Sequence, residues 1–294
     1  MHEVIAKGIL SAKNGMNLYR GCTHGCIYCD SRSKCYQINH TFEDIEVKKN
    51  AVDLLEQELI HKRKKCMIGT GSMTDHYMPL EKQKLLMRHS LEKILQYGYG
   101  VTVLTKSDLV LRDLDLLSQI NERTKAVVQM TLTTYDEATC RIVEPHVSTT
   151  KKRFEVLRRC KALGIPTVVW MGPVLPYIND TEDNLHGILN YCLEAGVQGI
   201  MCFGMGLTLR DGNREYFYEQ LDRFYPGLTQ RYCREYGNAY EIDSPHNQKL
   251  MRIYEETCNR YDLLQQPKEV FHYLSEYEQK GQGQQISLSD LGLM

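Results

Sequence analysis

Long hydrophobic runs are absent from this sequence of 294 residues. The longest purely apolar stretch, 168–175, contains a glycine and a proline and is far shorter than the roughly 20 residues that cross a bilayer. The amino terminus carries an acid at Glu3 and has no apolar segment, so it does not have the pattern of a secretory signal. We therefore expect no association with a membrane.

An excess of charge of either sign is also absent. Lys and Arg number 36, Asp and Glu number 37, and the net charge is -1, which excludes a protein that binds nucleic acid by charge alone. The 11 cysteines are odd in number and too sparse for a secreted scaffold held by disulfides. We expect a cytoplasmic location, and in that reducing compartment clustered cysteines indicate a metal site or catalysis.

Short apolar runs alternate with helical patterns through the middle of the chain. Several of these runs are apolar at consecutive positions, as in strands that are buried on both faces. The predicted strands cover 16–20, 66–70, 101–105, 126–132, 166–171 and 197–203. Helical spacing of apolar residues is found between them at 47–59, 154–160 and 185–192. Thr181 or Asp180 is placed to cap the last of these helices, and Gly196 stands where it should end.

Six such β–α units predict parallel strands that are joined by right-handed crossovers. The number is too small for a closed eight-stranded barrel and suits either a partial, open barrel or a doubly wound sheet. In both folds the functional site lies at the carboxyl ends of the strands, and the motifs described below fall at such ends.

The carboxyl-terminal part of the sequence changes to helical patterns that are rich in tyrosine. Of the 19 tyrosines, 10 lie between Tyr216 and Tyr277. We interpret residues 1–210 as the barrel core and residues 211–280 as the last barrel helix with a helical extension. The tyrosines either cover the opening of the site or pack on the barrel wall. Residues 281–294 are predicted to be a flexible tail.

Three cysteines are clustered directly after the first predicted strand, in the segment GCTHGCIYCD at 21–30. The C-x3-C-x2-C spacing lets Cys22, Cys26 and Cys29 surround one small metal centre, and the glycines allow the loop to bend. Three protein ligands leave one coordination position open, which distinguishes a reactive site from a structural one. Cys35 as a fourth ligand would instead close the site and give a structural zinc or iron–sulfur centre.

This spacing, with aromatic Tyr28 just before the last cysteine, resembles the signature of radical S-adenosylmethionine (SAM) enzymes, and more narrowly the spore photoproduct lyase-like branch. Four further segments resemble that branch in the same order, namely 69–75, 104–108, 129–133 and 143–145 followed by Arg153. The resemblance implies a partial (β/α)6 barrel of the α/β class with a [4Fe–4S] cluster on Cys22, Cys26 and Cys29. It also implies SAM, a reducing electron donor, and a 5′-deoxyadenosyl radical that takes a hydrogen atom from the substrate.

The resemblance assigns contacts with SAM to five further residues. Tyr28 matches the aromatic that lies against the adenine. Thr74, and in second place Ser72, match the contact with the methionine amino group. Lys106 matches the partner of the SAM carboxylate, and Thr131 matches a hydroxyl that reaches the same cofactor. Without the resemblance, Lys106 would be an ordinary surface lysine and Thr131 an ordinary strand residue.

Other residues that match the branch have a structural interpretation or depart from it. Glu144 and Arg153 either meet at the site or form a structural ion pair, and we favour the ion pair. The lyase carries a cysteine near the end of its second strand that returns a hydrogen atom to the product. Here that region reads Ser72-Met73, and the nearest thiol, Cys66, begins the strand.

The substrate is not specified by these motifs. The basic run 61–65 ends a helix on the side opposite the predicted site, so it favours a solvated helix end over a DNA clamp. A nucleic-acid base is the first substrate that we expect by analogy with the branch, and a peptide or small metabolite stays open. The alternative function is a non-catalytic metal-binding protein, in which Cys35 completes a closed four-cysteine site.

Overall fold

The computed structural model describes residues 1–280, in which strands and helices alternate. The strands are β1 His2–Val4, β2 Gly15–Met16, β3 Tyr19–Arg20, β4 Glu46–Lys48, β5 Met67–Thr70, β6 Gly100–Thr105, β7 Ala126–Leu132, β8 Thr167–Met171, β9 Gly199–Met201, β10 Gly206–Thr208 and β11 Glu241–Asp243. The α-helices are α1 Ala51–His61, α2 Glu81–Lys84, α3 Leu86–Gln96, α4 Leu114–Arg123, α5 Glu137–Val143, α6 Thr150–Ala162, α7 Glu182–Ala195, α8 Asn213–Phe224, α9 Leu228–Tyr236, α10 Asn247–Arg260 and α11 Pro267–Ser275. The predicted tail, 281–294, lies outside the described residues.

Six strands form one parallel sheet in the order β2-β5-β6-β7-β8-β9. Each of these strands lies beside the next one along the chain, so the order does not reverse as it does in a doubly wound sheet. Right-handed crossovers that all run in one direction place the connecting helices on one face and leave the other face concave. The prediction of an α/β partial barrel with six β–α units is confirmed.

The alternation of side chains along β7 separates the two faces of this sheet. Val128 and Met130 belong to the main hydrophobic core, which the sheet shares with the helices on its convex face. Val127 points to the concave face and packs in a separate cluster with Val270 and Leu274 of α11. The helix α11 therefore lies inside the curved sheet rather than on its outer layer.

The position of α11 along the barrel is fixed by contacts at its carboxyl end. Lys125, directly before β7, pairs with Glu278 at 2.6 Å, and its ammonium lies 4.0 Å from the centre of the Tyr273 ring. Tyr277 donates a hydrogen bond to the carbonyl of Gly98, just before β6, at 3.0 Å. These partners precede their strands, so α11 ends at the amino-terminal edge of the sheet, opposite the predicted site.

Both ends of α7 are formed by the residues that the sequence predicted. The hydroxyl of Thr181 accepts a hydrogen bond from the backbone N–H of Asn184 at 3.2 Å, which caps the first turn. Gly196 has a φ of 63°, a left-handed conformation that suits glycine and ends the helix.

Several short strands are not predicted by the sequence patterns. The run at 16–20 is divided, because β2 joins the main sheet whereas β3 joins a small sheet in the order β1-β4-β3. Farther along the chain, β10 and β11 pair as an antiparallel ribbon. A strand of two or three residues carries too little periodicity to be recognised unless it lies in a longer apolar run, as β9 does.

Several tyrosines of the carboxyl-terminal part pack against one another within the protein, whereas Tyr240 and Tyr261 are exposed. Tyr232 is fully buried, and its ring contacts those of Phe217, Tyr218 and Tyr236 at 5.4–6.2 Å. This cluster adjoins Tyr28 of the cysteine loop. Of the two interpretations, aromatic packing describes these residues. None of the helices within residues 1–280 has both the length and the apolarity that a bilayer crossing requires.

Candidate functional site

A cavity of about 240 Å³ opens at the carboxyl edge of the parallel sheet. Its walls come from the cysteine loop and from residues at or just beyond the ends of β5, β6, β7 and β8, because parallel strands present these ends at one edge. Seven of the eight predicted site residues line it, namely Cys22, Cys26, Cys29, Ser72, Thr74, Lys106 and Thr131. The structure thus brings together residues that lie more than a hundred positions apart in the sequence.

Backbone contacts hold the cysteine loop on both sides. Gly21 has a φ of 86°, and a Cβ there would stand 2.4 Å from the carbonyl oxygen of Phe42, so only glycine fits. The N–H of Cys22 donates to that carbonyl at 3.1 Å, and the N–H of Ile27 donates to the carbonyl of Val143 at 3.0 Å. The three thiols are therefore presented by a loop that is anchored to two other segments.

The surroundings of the three thiols disfavour thiolates without a partner. Cys22 and Cys26 are buried, and Cys29 is half-buried. Burial raises the pKa of the Cys22 thiol to about 12, and the charges of Cys29 and Asp75 add to the rise. Burial also raises the pKa of the Cys26 thiol well above its ordinary value. A bound cationic centre would supply the positive charge that thiolates require here.

The arrangement of the sulfur atoms fits a cluster better than a single ion. In the described part of the chain, the sulfurs of Cys22, Cys26 and Cys29 do not gather within 4.8 Å of one another. A tetrahedral zinc ion needs its sulfur ligands about 3.8 Å apart. Cys35 is exposed, does not line the cavity, and has its sulfur 3.3 Å from Nη1 of Arg210. Three thiols without Cys35 are the donor set that the structure places at this cavity.

Lys106 combines a half-buried position with a positive charge. Its ammonium lies 5.9 Å from the centre of the Tyr28 ring, in the wall of the cavity. Burial lowers the pKa of Lys106, but the neighbouring Cys26 and Glu144 outweigh this effect and raise it. Lys106 is therefore charged at neutral pH, and it faces the cavity where an anionic group of a ligand can reach it.

Tyr28 is the one predicted site residue that does not line the cavity. It is buried, and its hydroxyl donates to the carboxylate of Glu144 and lies 3.2 Å from the hydroxyl of Thr133. Its ring supports Lys106 from below. Arg153 pairs with Glu144, and both side chains are fully buried, so the predicted structural ion pair is confirmed. Its guanidinium also donates to the carbonyl of Thr131 at 2.8 Å.

Asp75 is a central residue of the site to which the sequence analysis gave no role. Its carboxylate accepts hydrogen bonds from Thr105 Oγ1 at 2.8 Å, from the N–H of Lys106 at 2.7 Å and from the N–H of Tyr77 at 2.9 Å. His24 Nδ1 lies 3.4 Å away. Asp75 thereby joins the turn after β5, the end of β6 and the cysteine loop. Asp75 follows β5 together with other polar residues, and this position in the sequence could have indicated a site residue.

A second group of residues that the sequence did not single out lines the concave face. Trp170 reaches the cavity, and its indole N–H donates to Gln129 Oε1 at 2.6 Å. On its other side, Trp170 lies 5.9 Å from the ring centre of Phe203 and 6.1 Å from that of Phe271. Phe203 is 67% exposed. This aromatic group, Trp170, Phe203 and Phe271, extends the site toward solvent.

An open parallel barrel whose first loop carries three cysteines at the carboxyl edge defines an iron–sulfur protein with an adjoining ligand cavity. Residues 16–187 match the family model of the radical SAM superfamily, and the chain belongs to this superfamily. Membership implies a [4Fe–4S] cluster and SAM as the cofactors.

Known proteins resemble the chain over most of its length. An uncharacterized protein of Mycobacterium tuberculosis is 29% identical over 269 residues, which cover 85% of this chain and 77% of that protein. Spore photoproduct lyase, in a structure with bound SAM and a dinucleoside spore photoproduct, shares the fold with a TM-score of 0.56 and 14% identity, covering 84% of this chain and 72% of that one. The radical SAM methyltransferase TsrM of Kitasatospora setae, in a structure with tryptophan, matches with a TM-score of 0.52 and 12% identity over 84% of this chain and 52% of that one.

Proposed function

We propose that the protein is an enzyme that binds a [4Fe–4S] cluster through Cys22, Cys26 and Cys29 and reductively cleaves SAM beside it. One observation carries the proposal: the three thiols and the ammonium of Lys106 line the same cavity, and Cys35 does not. When bound, the cluster and SAM supply the electron transfer and the radical that removes a hydrogen atom from the substrate. The protein itself binds and orients these groups and excludes water.

The residues of the cavity divide this work among them. Lys106 is placed to pair with the carboxylate of SAM, and its position is fixed by Tyr28 below it and by Asp75, which accepts a hydrogen bond from its backbone N–H. Thr74 and Ser72, on the turn after β5, are proposed to accept hydrogen bonds from the amino group. Tyr28 lies behind the wall, so its part in SAM binding is proposed to be the support of Lys106.

Replacing Lys106 with methionine should weaken SAM binding while the cluster stays in place. The variant removes the charge and keeps a side chain of similar shape, and loss of one partner of a buried ion pair raises Kd at least about thirtyfold. Equilibrium dialysis with labelled SAM measures the affinity, and iron analysis of the same samples measures the cluster. Lys151→Met, at an exposed position of α6, is the control that should bind as the parent does. Equal affinities would contradict the role of Lys106.

The substrate that the site favours is a planar base, as in repair of a DNA photoproduct. Half-buried Trp170 lines the cavity and adjoins the exposed rings of Phe203 and Phe271, and aromatic groups of this kind stack on nucleic-acid bases. The hydrogen-atom relay of the lyase is not reproduced by the cavity, whose thiols are those of the three proposed cluster ligands. The fold also supports a methyltransferase, so the reaction itself has to be tested.

Two experiments test the proposal. The chain is reconstituted anaerobically with iron and sulfide, reduced in the presence of SAM, and assayed for 5′-deoxyadenosine. Release of 5′-deoxyadenosine supports the enzyme, whereas metal saturation without SAM turnover supports the closed metal-binding alternative. Titration with single- and double-stranded oligonucleotides at two salt concentrations then tests the substrate class. Affinity that falls with salt is expected, and an absence of binding would exclude nucleic acid in favour of a peptide or metabolite.

A further inference from the structure

Three metal-ligating side chains meet on the small sheet of β1, β4 and β3, apart from the cofactor cavity. One donor atom from each of His2, His40 and Glu46 lies within 4.8 Å of the other two, and the three residues are half-buried. The donor set contains two imidazoles and one carboxylate. It has no sulfur, so it differs in kind from the cysteine loop.

The strand register creates this meeting. Strands β1 and β4 are parallel, and His2 is paired directly with Glu46, so the two side chains leave the sheet on the same face. The N–H of His2 donates to the carbonyl of Ile45 at 3.0 Å, which fixes the end of β1. His40 comes from the segment before β4, and its ring centre lies 4.9 Å from that of His2 at an interplanar angle of 85°.

Hydrogen bonds on one nitrogen of each imidazole leave the other nitrogen with a lone pair. His40 Nδ1 lies 2.9 Å from the carbonyl of Thr41 and must donate to it, because a carbonyl oxygen only accepts. Its Nε2 is then an acceptor, and this atom is buried without a hydrogen-bond partner. His2 Nδ1 donates to the carboxylate of Asp44 at 3.0 Å, which leaves its Nε2 available in the same way.

Both carboxylate oxygens of Asp44 have a partner. The amino group of Met1 lies 2.7 Å from its second carboxylate oxygen. In histidines that bind a metal, the ring nitrogen that does not contact the metal commonly donates to a carboxylate or a carbonyl. This hydrogen bond orients the ring and raises its basicity. An unpartnered, buried acceptor such as His40 Nε2 is costly unless a cation or a donor satisfies it.

We propose that His2, His40 and Glu46 bind zinc or a similar divalent metal ion. Two imidazole nitrogens and one carboxylate oxygen are ligands that zinc accepts in tetrahedral geometry, with water in the fourth position. Calcium and magnesium require oxygen ligands throughout, so the two histidines disfavour them.

The ion would fasten the first strand to the segment that supports the cysteine loop. Phe42 lies two residues after His40, and its carbonyl accepts the hydrogen bond from the N–H of Cys22 at 3.1 Å. The same carbonyl is the atom that excludes any side chain at Gly21. Only two residues therefore separate the proposed ligand His40 from Phe42, whose carbonyl holds Cys22. Metal binding at His40 would restrain the backbone that holds the cysteine loop.

The test uses the full chain, without an added histidine tag and with its cluster reconstituted so that the cysteine loop is occupied. The protein is stripped with a chelator, loaded with one equivalent of ZnCl2 and desalted. Zinc is counted by mass spectrometry, and X-ray absorption at the zinc edge identifies the ligand atoms. We expect one retained zinc per chain, with nitrogen and oxygen ligands, imidazole scattering and no sulfur.

His40→Gln should reduce the zinc affinity by about a hundredfold or more, and Asp44→Asn, which keeps all three ligands, by about tenfold. His61→Gln is the matched control, because His61 is exposed and also hydrogen-bonds a backbone carbonyl through Nδ1. Circular dichroism of each variant verifies the fold, and Asp44→Asn decides the matter if His40→Gln does not fold. Three results would overturn the proposal. They are failure of the parent chain to retain zinc, a sulfur signal at the zinc edge, and retention by both His40→Gln and Asp44→Asn that equals that of the parent chain.

Discussion

Replacing Cys26 with alanine is expected to abolish both the iron–sulfur cluster and the cleavage of SAM. Cys26 is the middle cysteine of the loop, is buried, and lines the cavity. Its replacement removes one of the three proposed ligands. Because the cofactors carry the difficult chemistry, release of 5′-deoxyadenosine should fall by at least about a thousandfold. Iron and sulfide analysis together with a timed assay of 5′-deoxyadenosine measures both effects in one preparation.

Cys35→Ala is the matched control for this prediction. Cys35 is exposed, and its sulfur contacts Arg210 instead of the cavity. The variant should keep its iron content and its turnover. If Cys35→Ala lost the cluster as Cys26→Ala does, the site would be a closed four-cysteine centre, and the proposed enzyme would be wrong.

The second large effect concerns stability and should follow from the substitution Arg153→Met. Arg153 and Glu144 form an ion pair in which both side chains are fully buried. Burial raises the pKa of Glu144, but Arg153 and Lys106 outweigh this effect and hold it below its ordinary value, so the carboxylate is charged. Removal of the guanidinium would leave that charge without its main partner, at a cost of about 3–5 kcal/mol in the free energy of unfolding. Urea denaturation followed by circular dichroism measures this difference.

An exposed pair on the same helix supplies the comparison. Arg159 lies 3.1 Å from Glu155, one turn away on α6, and both side chains are largely in solvent. Arg159→Met should therefore change the free energy of unfolding by about 0.5 kcal/mol or less. The double substitution Arg153→Met with Glu144→Leu should recover part of the loss, since it removes both buried charges. A loss no larger for Arg153→Met than for Arg159→Met would show that the buried pair is not needed for stability.

The fold and the position of the cysteine loop could be predicted because their signals are local. Strand β7 has the predicted bounds, since five of its seven residues are apolar and all seven are buried. The cysteine loop was recognisable because its spacing lies within ten residues. Lys106 and Thr131 were found through resemblance to a family and not through periodicity, which gives no information about what lies across the cavity.

What the sequence could not show depends on contacts between distant segments. Asp75 is central because the ends of β5 and β6 and the cysteine loop converge on its carboxylate. The hydroxyl of Tyr28 is held by Glu144, which lies 116 positions away, and no local pattern indicates this contact. No longer apolar run surrounds the three-residue strands β1, β4, β10 and β11, so they could not be recognised, whereas β9 lies within the predicted run 197–203.

The position of α11 determines how molecules can approach the reacting atoms. Val270 and Leu274 fill the concave side of the sheet and pack against Val127 and its neighbours. Within the described residues, this packing closes the barrel at its amino-terminal end. In the proposed enzyme, a substrate would then reach the cofactors from the carboxyl edge of the sheet, where the cavity opens. In the proposed reaction, this apolar packing would also keep solvent from reaching the radical from the amino-terminal side, which would favour transfer to the substrate over quenching.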